Sequence, residues 1–464
     1  MSEAPVEQSG GQPRQMEELS LQEAIPRVGV VLAAGRSERL GALTGGGSKA
    51  LVRLGGLSLV ERAVRLLLRS GLERVLVVVG YHAGPVAAVV GRLAPGRVRA
   101  VHAEEWEAGN GASLAAVESA VAGERLFALV TADHAFEQGA LDSLLQAGEP
   151  AVLVDPGPDQ EAWLEGTRVR IHESMAVAFG KELEEPAIDC GAFVLPRSVF
   201  EFQRQAAAGG DHSLAGAVTK LAEAGALRAI PLRHGCWWQD IDTPRDLHLA
   251  RVGLRRSLVR DSDGPVARYL NRPLSTRISA ALAPLRLSPD LVSAIAFALT
   301  LIAAWMLHAG RGLAGGLLAQ AGSVVDGIDG ELARVQIRAG PAGAMLDGVL
   351  DRLGDTAIVA GLAVWALRGG HSAALVVVMA VAATAGALLS MATKDRAAAL
   401  GLPPAPERAI GFLLGGRDGR LLLAAVLAIA GWPLVALAAI VVTSALSLTV
   451  RLFFLRRSSL ALTR

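Results

Sequence analysis

The 464-residue chain lacks the features that mark several common classes of protein. It has two cysteines, Cys190 and Cys236, which are too few for a disulfide framework or for the usual kind of zinc site. The formal net charge is +1, so no excess of one sign indicates nucleic acid or another polyanion as a partner. The polar segment 1–26 has no apolar core, which excludes a signal peptide, and its composition predicts a disordered tail.

Hydrophobicity is what the chain has in excess, and it is unevenly distributed. The mean hydropathy is +0.41, which is high for a soluble protein, and the length predicts two or three domains. We divide the chain into a soluble domain over 27–250, a linker with an interfacial helix over 251–286, and an all-α membrane domain over 287–464.

The membrane domain contains six apolar segments, which predict a six-helix transmembrane domain. A spanning helix needs about 20 residues, so the second and fifth segments must borrow polar flanks to cross a bilayer. The segments are roughly 291–308, 313–325, 344–367, 373–391, 421–432 and 434–454.

Basic residues are concentrated in the loops after the second and fourth segments. Because positive loops stay in the cytoplasm, we predict a multi-pass protein of the cell membrane with both termini, and the start of the third segment, on the cytoplasmic side. Segment 266–286 alternates apolar residues with arginine at helical spacing, which predicts an interfacial amphipathic helix; a plain linker helix is the alternative. The basic loop residues are Arg334, Arg338, Lys394, Arg396, Arg408, Arg417 and Arg420.

Four carboxylates lie inside this hydrophobic region. Asp326 and Asp329 are three residues apart, and Asp347 and Asp351 are four apart, so each pair lies on one face of its helix. An acidic side chain at bilayer depth costs about 2.5–3.5 kcal/mol and therefore indicates a function. Two facing helices would offer oxygen ligands for Mg²⁺ or a similar cation. An ion or proton pathway in a transporter is the alternative.

The run from Asp326 to Asp351 resembles the signature of the CDP-alcohol phosphatidyltransferase family, Asp-x-x-Asp-Gly-x-x-Ala-Arg-(x8)-Gly-x-x-x-Asp-x-x-x-Asp. The resemblance implies that the aspartates hold Mg²⁺ or Mn²⁺ on the diphosphate of a CDP-alcohol. It makes Asp351 the candidate general base for the acceptor hydroxyl, and a further metal ligand. Arg334 would pair with a phosphate. The residues implied to contact the nucleotide are Gly330, Ala333, Arg334 and Gly343.

The soluble domain alternates buried strands with helical patterns. Continuous apolar runs begin at Val28, Val75 and Leu126, which favours strands of a parallel sheet. Helical patterns cover 59–70 and 113–122, so we predict a Rossmann-like α/β fold. Asp133 follows the third run, at the edge of the sheet where ligands bind in such folds.

A glycine-containing loop follows the first strand and could cradle phosphates with its backbone N–H groups. The sequence Leu32-Ala-Ala-Gly35-x-Ser37-x-Arg39-Leu40, followed by Ser48-Lys49, resembles the signature of nucleotidyltransferases that activate sugar and polyol phosphates. Ser37 and Ser48 stand where that family has a glycine and a proline.

The resemblance assigns roles in this domain. Lys49 would be catalytic through its charge on the triphosphate, and Asp133 and Asp240 would hold the metal ion. Lys181 and the stretch 189–191 would face the sugar phosphate. The residues implied to bind CTP are Leu32, Ala33, Ala34, Gly35, Arg39, Lys49, Asn110, Gly111 and Asp133.

Each assignment has a simpler alternative. In the simpler interpretation, Asp133 only caps the next helix, and Asp240 and Asp242 are only turn residues before Pro244. The two histidines nearest these motifs, His82 and His134, are interpreted as supporting or surface groups rather than as catalysts.

The order of the two domains resembles that of bifunctional enzymes in which an inositol-1-phosphate cytidylyltransferase is joined to a di-myo-inositol-phosphate phosphate synthase. That resemblance implies CTP and inositol-1-phosphate as substrates, CDP-inositol as the intermediate, and a homodimer in the membrane. The alternatives are a membrane lipid as the second acceptor, or a transporter with a degenerate nucleotide-sensing domain. The nearest cations for an anionic acceptor are Lys394, Arg396, Arg417 and Arg420, which the positive-inside bias alone would also explain.

Overall fold

The computed structural model describes residues 25–36, 44–402, 407–412 and 414–462. These fall into two compact units, Met1–Ser257 and Leu258–Arg464, and each unit is described by itself. Most of the predicted disordered tail lies outside the described residues, as do Ser37, Arg39 and Leu40 of the loop motif.

The first unit is an α/β domain built on one large sheet. Nine strands run in the order β5-β4-β1-β6-β11-β8-β12-β10-β9, and the pairs β13–β7 and β2–β3 form two small ribbons. The strands are β1 (Val28–Ala33), β2 (Arg53–Leu54), β3 (Leu57–Ser58), β4 (Arg74–Val79), β5 (Val98–His102), β6 (Leu126–Thr131), β7 (His134–Phe136), β8 (Ala151–Asp155), β9 (Arg168–His172), β10 (Met175–Gly180), β11 (Ile188–Pro196), β12 (Arg228–Pro231) and β13 (Trp238–Asp240).

Eight α-helices accompany the sheet in the described part of this unit. Every residue of β1 is buried, as expected for a central strand covered on both faces. The helices are α1 (Leu59–Arg69), α2 (Ala83–Val90), α3 (Asn110–Ala115), α4 (Gln138–Leu145), α5 (Gln160–Glu165), α6 (Val199–Ala208), α7 (Leu214–Glu223) and α8 (Pro244–Arg256).

The parallel centre of the sheet determines where the site lies. In register, Leu32 pairs with Val78 of β4 and with Thr131 of β6. The three strands therefore end at the same edge, and the loops that follow them converge there. The three predicted strands and the Rossmann-like arrangement of the sheet are observed.

One predicted helix differs from the structure. The pattern over 113–122 predicts a helix, but α3 begins earlier, at Asn110, and ends at Ala115. The chain then tightens, because Val117, Glu118 and Ala120 donate to carbonyls three residues earlier rather than four. The apolar spacing of this segment is therefore satisfied by successive tight turns, whose three-residue bonds suit only short stretches.

The second unit is helical throughout its described elements. A π-helical turn (Ala267–Asn271) precedes the first α-helix and a 3-10 turn (Ala283–Leu285) follows it. The helices are α9 (Arg272–Leu282), α10 (Pro289–His308), α11 (Gly312–Val335), α12 (Pro341–Arg368), α13 (Ala373–Ala399), α14 (Glu407–Phe412), α15 (Arg417–Ile429) and α16 (Pro433–Leu462).

Three of these helices are long and apolar enough to cross a membrane, namely Pro289–His308, Ala373–Ala399 and the Pro433–Arg457 part of α16. The prediction of six spans is not matched by this criterion. With 24 and 28 residues, α11 and α12 are long enough, but they carry the carboxylates. The 13 residues of α15 would extend only about 20 Å at 1.5 Å per residue.

The short helix α9 is buried along its polar face. Ser275 and Ser279 are fully buried and donate hydrogen bonds of 2.6 and 2.7 Å to the two carboxylate oxygens of Glu331 on α11. The large apolar side chains on or just before this helix point outward instead, with Tyr269 75% exposed and Leu274 52% exposed. Helix α9 is thus amphipathic with its apolar residues facing away from the unit.

Candidate active sites

The site of the first unit is centred on Lys49, whose side chain lies among three carboxylates. Its Nζ is 3.2 Å from Asp133 Oδ2 and 3.6 Å from Asp240 Oδ1, and it also pairs with Asp242 Oδ1. Lys49 itself is buried, at 6% exposure. A buried ammonium group is stable only where it is paired in this way.

Local structure brings the three carboxylates together although they are far apart in sequence. Asp133 follows the end of β6, and the ribbon of β7 and β13 pairs Asp240 with His134, so Asp240 lies beside Asp133. Asp242 is placed by the start of α8, where Thr243 and Asp246 form a capping box. This geometry differs from the simpler interpretation of Asp240 and Asp242 as turn residues alone.

His134 supports the carboxylate cluster from behind. Its Nδ1 lies 2.9 Å from Asp133 Oδ1 and 2.7 Å from Thr131 Oγ1, and its ring stacks on that of Trp238 at 5.7 Å. Burial would lower the pKa of His134, but Asp240 and Asp133 beside it raise that pKa to about 9. The ring is therefore positively charged at neutral pH and holds Asp133 in place.

Electrostatics favour the charged form of Lys49 as well. Burial opposes its charge, yet Asp133, Asp240 and Asp242 together raise its pKa above the usual value. An ammonium group in this position can neutralise the charge of a bound triphosphate. This is consistent with the role that the sequence predicts for Lys49.

A cavity of about 340 Å³ opens beside these residues. Its walls carry Asp133 and Asp240 together with further carboxylates, including Asp155, Asp159 and Glu165. An ionised carboxylate accepts hydrogen bonds and donates none, so these side chains suit a ligand with many hydroxyl groups. The cavity therefore combines the carboxylates of the candidate metal site with further acceptors for hydroxyl groups.

Predicted substrate residues are found at the same cavity. Lys181 and Asp189 both line it. Asp189 Oδ1 accepts a 2.6 Å hydrogen bond from the N–H of Gly191, and burial raises the pKa of Asp189 to about 6.

The predicted nucleotide segment at Asn110 and Gly111 has a structural role in addition. Asn110 lines the cavity, but its Oδ1 accepts a 2.6 Å bond from the N–H of Leu214. A Cβ atom on Gly111 would lie 2.6 Å from the carbonyl oxygen of His212. Gly111 is therefore required by backbone packing against the two residues that precede α7, which the motif alone does not reveal.

The loop after β1 is described in part. Leu32, Ala33 and Ala34 are buried and Gly35 is exposed; the carbonyl of Leu32 accepts a bond from Ala132, and that of Ala34 accepts one from Tyr81. A Cβ on Gly35 would meet no atom of the described residues within 4 Å. The predicted CTP residue Arg39 lies outside the described residues.

The site of the membrane unit is built on the same plan with an arginine. Arg417 Nη1 lies 2.6 Å from Asp326 Oδ2 and 2.7 Å from Asp351 Oδ1, and its Nε lies 3.2 Å from Asp355 Oδ1. These carboxylates come from α11 and α12, and the arginine begins α15. The sequence pointed to Arg417 and the aspartates but not to their pairing, and it did not single out Asp355.

Three of the four predicted aspartates come together. Oxygen atoms of Asp326, Asp347 and Asp351 lie within 4.8 Å of one another, which suits a hard cation that prefers oxygen ligands. Asp329 is buried nearby and accepts hydrogen bonds from Ser293 Oγ and from the N–H of Gly330. The structure therefore places Asp329 beside the cluster rather than in it.

The first unit also brings candidate metal ligands together. Ligand atoms of Asp133, His134 and Asp240 lie within 4.8 Å of one another. The two carboxylates fit Mg²⁺ or Mn²⁺, whereas the histidine already engages Asp133. In both units the space among the carboxylates can therefore accept a divalent cation.

The predicted nucleotide residues of the membrane unit lie on the two helices that carry the aspartates. Arg334 donates a 3.2 Å hydrogen bond to the carbonyl of Leu258, and a Cβ on Gly330 would lie 3.3 Å from Arg334. Gly343 has open space around it, whereas Ala333 is half-buried and accepts bonds from Arg338 and Ala339.

A second cavity, of about 320 Å³, reaches the carboxylates from one side. Its walls include Asp326, Asp351, Arg417 and Lys394. Of the other predicted acceptor cations, Arg396 is exposed and lines neither of the two cavities described here. Arg420 is buried, at 6% exposure, and donates to the carbonyl of Gly415.

Sequence reasoning missed one buried cation. Arg451 on α16 is 4% exposed and donates to the carbonyl and the hydroxyl of Ser390 on α13. A charged residue deep inside an apolar helix is the signal that could have identified it.

The fold and the two sites define a transferase with two active centres. Residues 29–227 match the family model of the MobA-like NTP transferase domain, and residues 286–450 match that of CDP-alcohol phosphatidyltransferase. The alternative of a transporter is thereby set aside.

Comparison with individual proteins identifies the family. The chain is 37% identical to the "Bifunctional IPC transferase and DIPP synthase" of Rubrobacter xylanophilus over 86% of this chain and 89% of the relative. It is 31% identical to the protein of the same name from Aquifex aeolicus over 87% of this chain and 92% of the relative. The chain therefore belongs to the family of bifunctional IPC transferases and DIPP synthases.

One solved structure similar to this chain is titled as the inositol-1-phosphate CTP transferase from T. maritima. It has a TM-score of 0.43 and 25% sequence identity, and the match covers 49% of this chain and 95% of that one.

Proposed function

We propose that this chain catalyses two consecutive transfers. The first unit converts CTP and inositol-1-phosphate into CDP-inositol and diphosphate. The membrane unit then joins CDP-inositol to a second inositol-1-phosphate, giving di-myo-inositol phosphate phosphate and CMP. The observation that carries this proposal is that each unit holds its own carboxylate cluster at a cavity, in a chain that belongs to a family named for both activities.

In the first transfer, a phosphate oxygen of inositol-1-phosphate attacks the α-phosphorus of CTP. The bond from that phosphorus to the bridging oxygen breaks, and diphosphate leaves with the electron pair. Lys49 neutralises charge on the triphosphate, and Asp133 and Asp240 would hold Mg²⁺ or Mn²⁺, which supplies further charge neutralisation. Catalysis is then mainly positioning, as is common in phosphoryl-type transfers.

In the second transfer, a hydroxyl of the acceptor attacks the phosphorus that carries the inositol of CDP-inositol. The bond to the bridging oxygen breaks, and CMP leaves. Asp351 accepts the hydroxyl proton. Asp326, Asp347 and, after a change of side-chain conformation, Asp329 would hold the metal ion on the diphosphate. Because Arg417 pairs with Asp351, the arginine must release that carboxylate before it can act as a base.

The acceptor is itself a phosphate ester and needs positive charge. Lys394, Arg396, Arg417 and Arg420 are the cations that the sequence suggests. Two of these, Lys394 and Arg417, line the cavity at the metal cluster, while Arg420 is buried. Arginine in particular binds phosphate through two parallel hydrogen bonds.

We propose that the membrane unit spans the cell membrane with six helices and has both termini in the cytoplasm. The helices that bear the aspartates are long enough to span, and the basic loops follow the second and fourth of the six. The exposed apolar residues of α9, such as Leu274, support an interfacial position for that helix. Domain limits at 27–250, 251–286 and 287–464, and a homodimer, complete the proposal.

The test uses the full chain in detergent or lipid discs with CTP, Mg²⁺ and inositol-1-phosphate. We expect diphosphate, CMP and a water-soluble phosphodiester, each identified by mass. A product that partitions into organic solvent when lipid is supplied would show instead that the second acceptor is a membrane lipid. Absence of diphosphate release with any polyol phosphate would overturn the first assignment.

A further inference from the structure

A short segment between the two family matches belongs to the membrane unit. The matches end at 227 and begin again at 286, so neither describes residues 258–266. We call this segment the strap. It precedes the π-helical turn at Ala267, and it begins the second compact unit.

The strap is attached to the rest of the membrane unit at three points, two of which lead to α11. Its first carbonyl, that of Leu258, accepts the hydrogen bond from Arg334 of the signature motif. Asp263 forms an ion pair of 2.9 Å with Arg272, and Arg272 in turn pairs at 2.7 Å with the fully buried Glu331 of α11.

The third attachment is a close backbone packing. A Cβ atom on Gly411 would lie 2.8 Å from Pro265 Cδ and 2.9 Å from the Cα of Gly264. The strap is therefore fixed against both the helix that carries the aspartates and the segment that precedes α15. Within the strap, the N–H of Arg260 donates to Asp263 Oδ2 and the N–H of Asp263 donates to the carbonyl of Arg260, which closes a tight turn.

This turn places Arg260 at the cavity that leads to the metal cluster. Arg260 lines that cavity together with Asp326 and Asp351. Two other cavity cations are already neutralised, since Arg272 pairs with Asp263 and Arg417 pairs with the aspartates. Among the described residues, none forms a hydrogen bond or an ion pair with the guanidinium of Arg260, so its charge is available to a ligand.

We propose that the strap forms one wall of the nucleotide pocket of the membrane unit and that Arg260 binds the diphosphate of a CDP-linked alcohol. This inference rests on the function proposed above for that unit. Asp326 and Asp347 would hold a metal ion that neutralises part of the charge of the diphosphate, and the guanidinium of Arg260 would neutralise a further part. The synthase site would then begin before the part of the chain that the family match covers.

The test compares Arg260→Ala with the full-length wild type in detergent, supplied directly with CDP-inositol and inositol-1-phosphate at saturating Mg²⁺. We expect the KM for CDP-inositol to rise about tenfold to a hundredfold, as for loss of one charged hydrogen bond, with a smaller change in kcat. Arg260→Lys should recover part of the loss. Arg256→Ala is the matched control, because Arg256 is an exposed arginine at the end of α8 that lines neither cavity.

A second variant tests the strap independently of its charge. Gly411→Ala should push Pro265 and Gly264 away and raise the same KM, while formation of CDP-inositol from CTP stays at the wild-type rate. A KM for Arg260→Ala within twofold of wild type would overturn the inference. If the wild type itself releases no CMP from CDP-inositol, the proposed function of the membrane unit fails instead, so the two failures are distinguishable.

Discussion

The two units place a single cation among three carboxylates, but they do so with different residues and different surroundings. Lys49 is held by side chains that follow strands, and two of them, Asp133 and Asp240, are 40% and 41% exposed. Arg417 is held between helices, where Asp351 and Asp355 are 16% and 12% exposed. The lysine acts as a point charge on a flexible stem, whereas the arginine uses two nitrogens in a fixed plane.

The difference shows what each scaffold requires of its cation. Loops at the edge of a sheet can adjust their carboxylates around one ammonium group. The carboxylates of α11 and α12 are fixed by helical spacing, with Asp351 and Asp355 one turn apart, so only a planar group with several donors reaches them together. The following predictions test this comparison.

The largest effect is expected from Asp351→Asn. This variant should keep the first transfer and lose the second by about 10²–10⁴-fold, because an amide cannot accept the acceptor's proton and one negative charge leaves the metal cluster. CMP release from supplied CDP-inositol is the measurement. Asp395→Asn, an exposed aspartate on α13, should behave like the wild type, and near-normal phosphodiester formation by Asp351→Asn would remove Asp351 from the role of base.

The corresponding variant in the first unit, Lys49→Met, should lose the first transfer and keep the second. We expect CDP-inositol formation to fall about 10²–10³-fold, as when one charge-stabilising donor is removed from an active site, while CMP release from supplied CDP-inositol persists. Lys220→Met is the control, since Lys220 is exposed and pairs only with Glu223 at the surface. Loss of both activities in a folded Lys49 variant would argue against two independent centres.

Exchange of the cations should separate the two scaffolds. Arg417→Lys should destabilise the membrane unit by about 1–3 kcal/mol, because an ammonium group cannot contact Asp326, Asp351 and Asp355 in the same geometry. Lys49→Arg should affect stability less, since its carboxylates are more exposed. Thermal unfolding of both variants in the same detergent gives the comparison, with Arg396→Lys as an exposed control; equal shifts would contradict the argument from helical spacing.

The last effect, which is expected only at higher pH, concerns Asp189. Its folded pKa of about 6 exceeds the usual value near 3.9, so the folded state binds this proton more tightly than the unfolded state. The stability that this proton contributes to the folded state is fully present below about pH 4 and is lost as pH rises to about 6. Asp189→Asn should therefore stabilise the first unit by roughly 1–3 kcal/mol above pH 6 and not below pH 4. An unchanged difference in melting temperature across this range would contradict the assignment.

Much of this arrangement could be predicted from the sequence, because the signals are local. The apolar run that begins at Val28 predicted strand β1. The spacings of the aspartates predicted which side chains share one face of α11 and of α12. Contacts between distant segments could not be predicted. Asp242 reaches Lys49 only because the capping box at Thr243 fixes the start of α8, and Asp355 joins Arg417 only because the first residue of α15 reaches α12. The early end of α3 at Ala115 depended on tight turns that its apolar pattern does not encode.

The strap at 258–266 determines where this protein can be recombined with its relatives. Consider a hybrid in which a relative's chain replaces everything before residue 286, where the family match begins. It would keep all four aspartates of this chain but lose Asp263, Arg272 and the two serines that hold Glu331. A junction at Ser257 would keep them. Hybrid transferases with an exchanged first unit should thus be active when the donor sequence ends at 257. Natural recombination in this family is expected to use the same boundary.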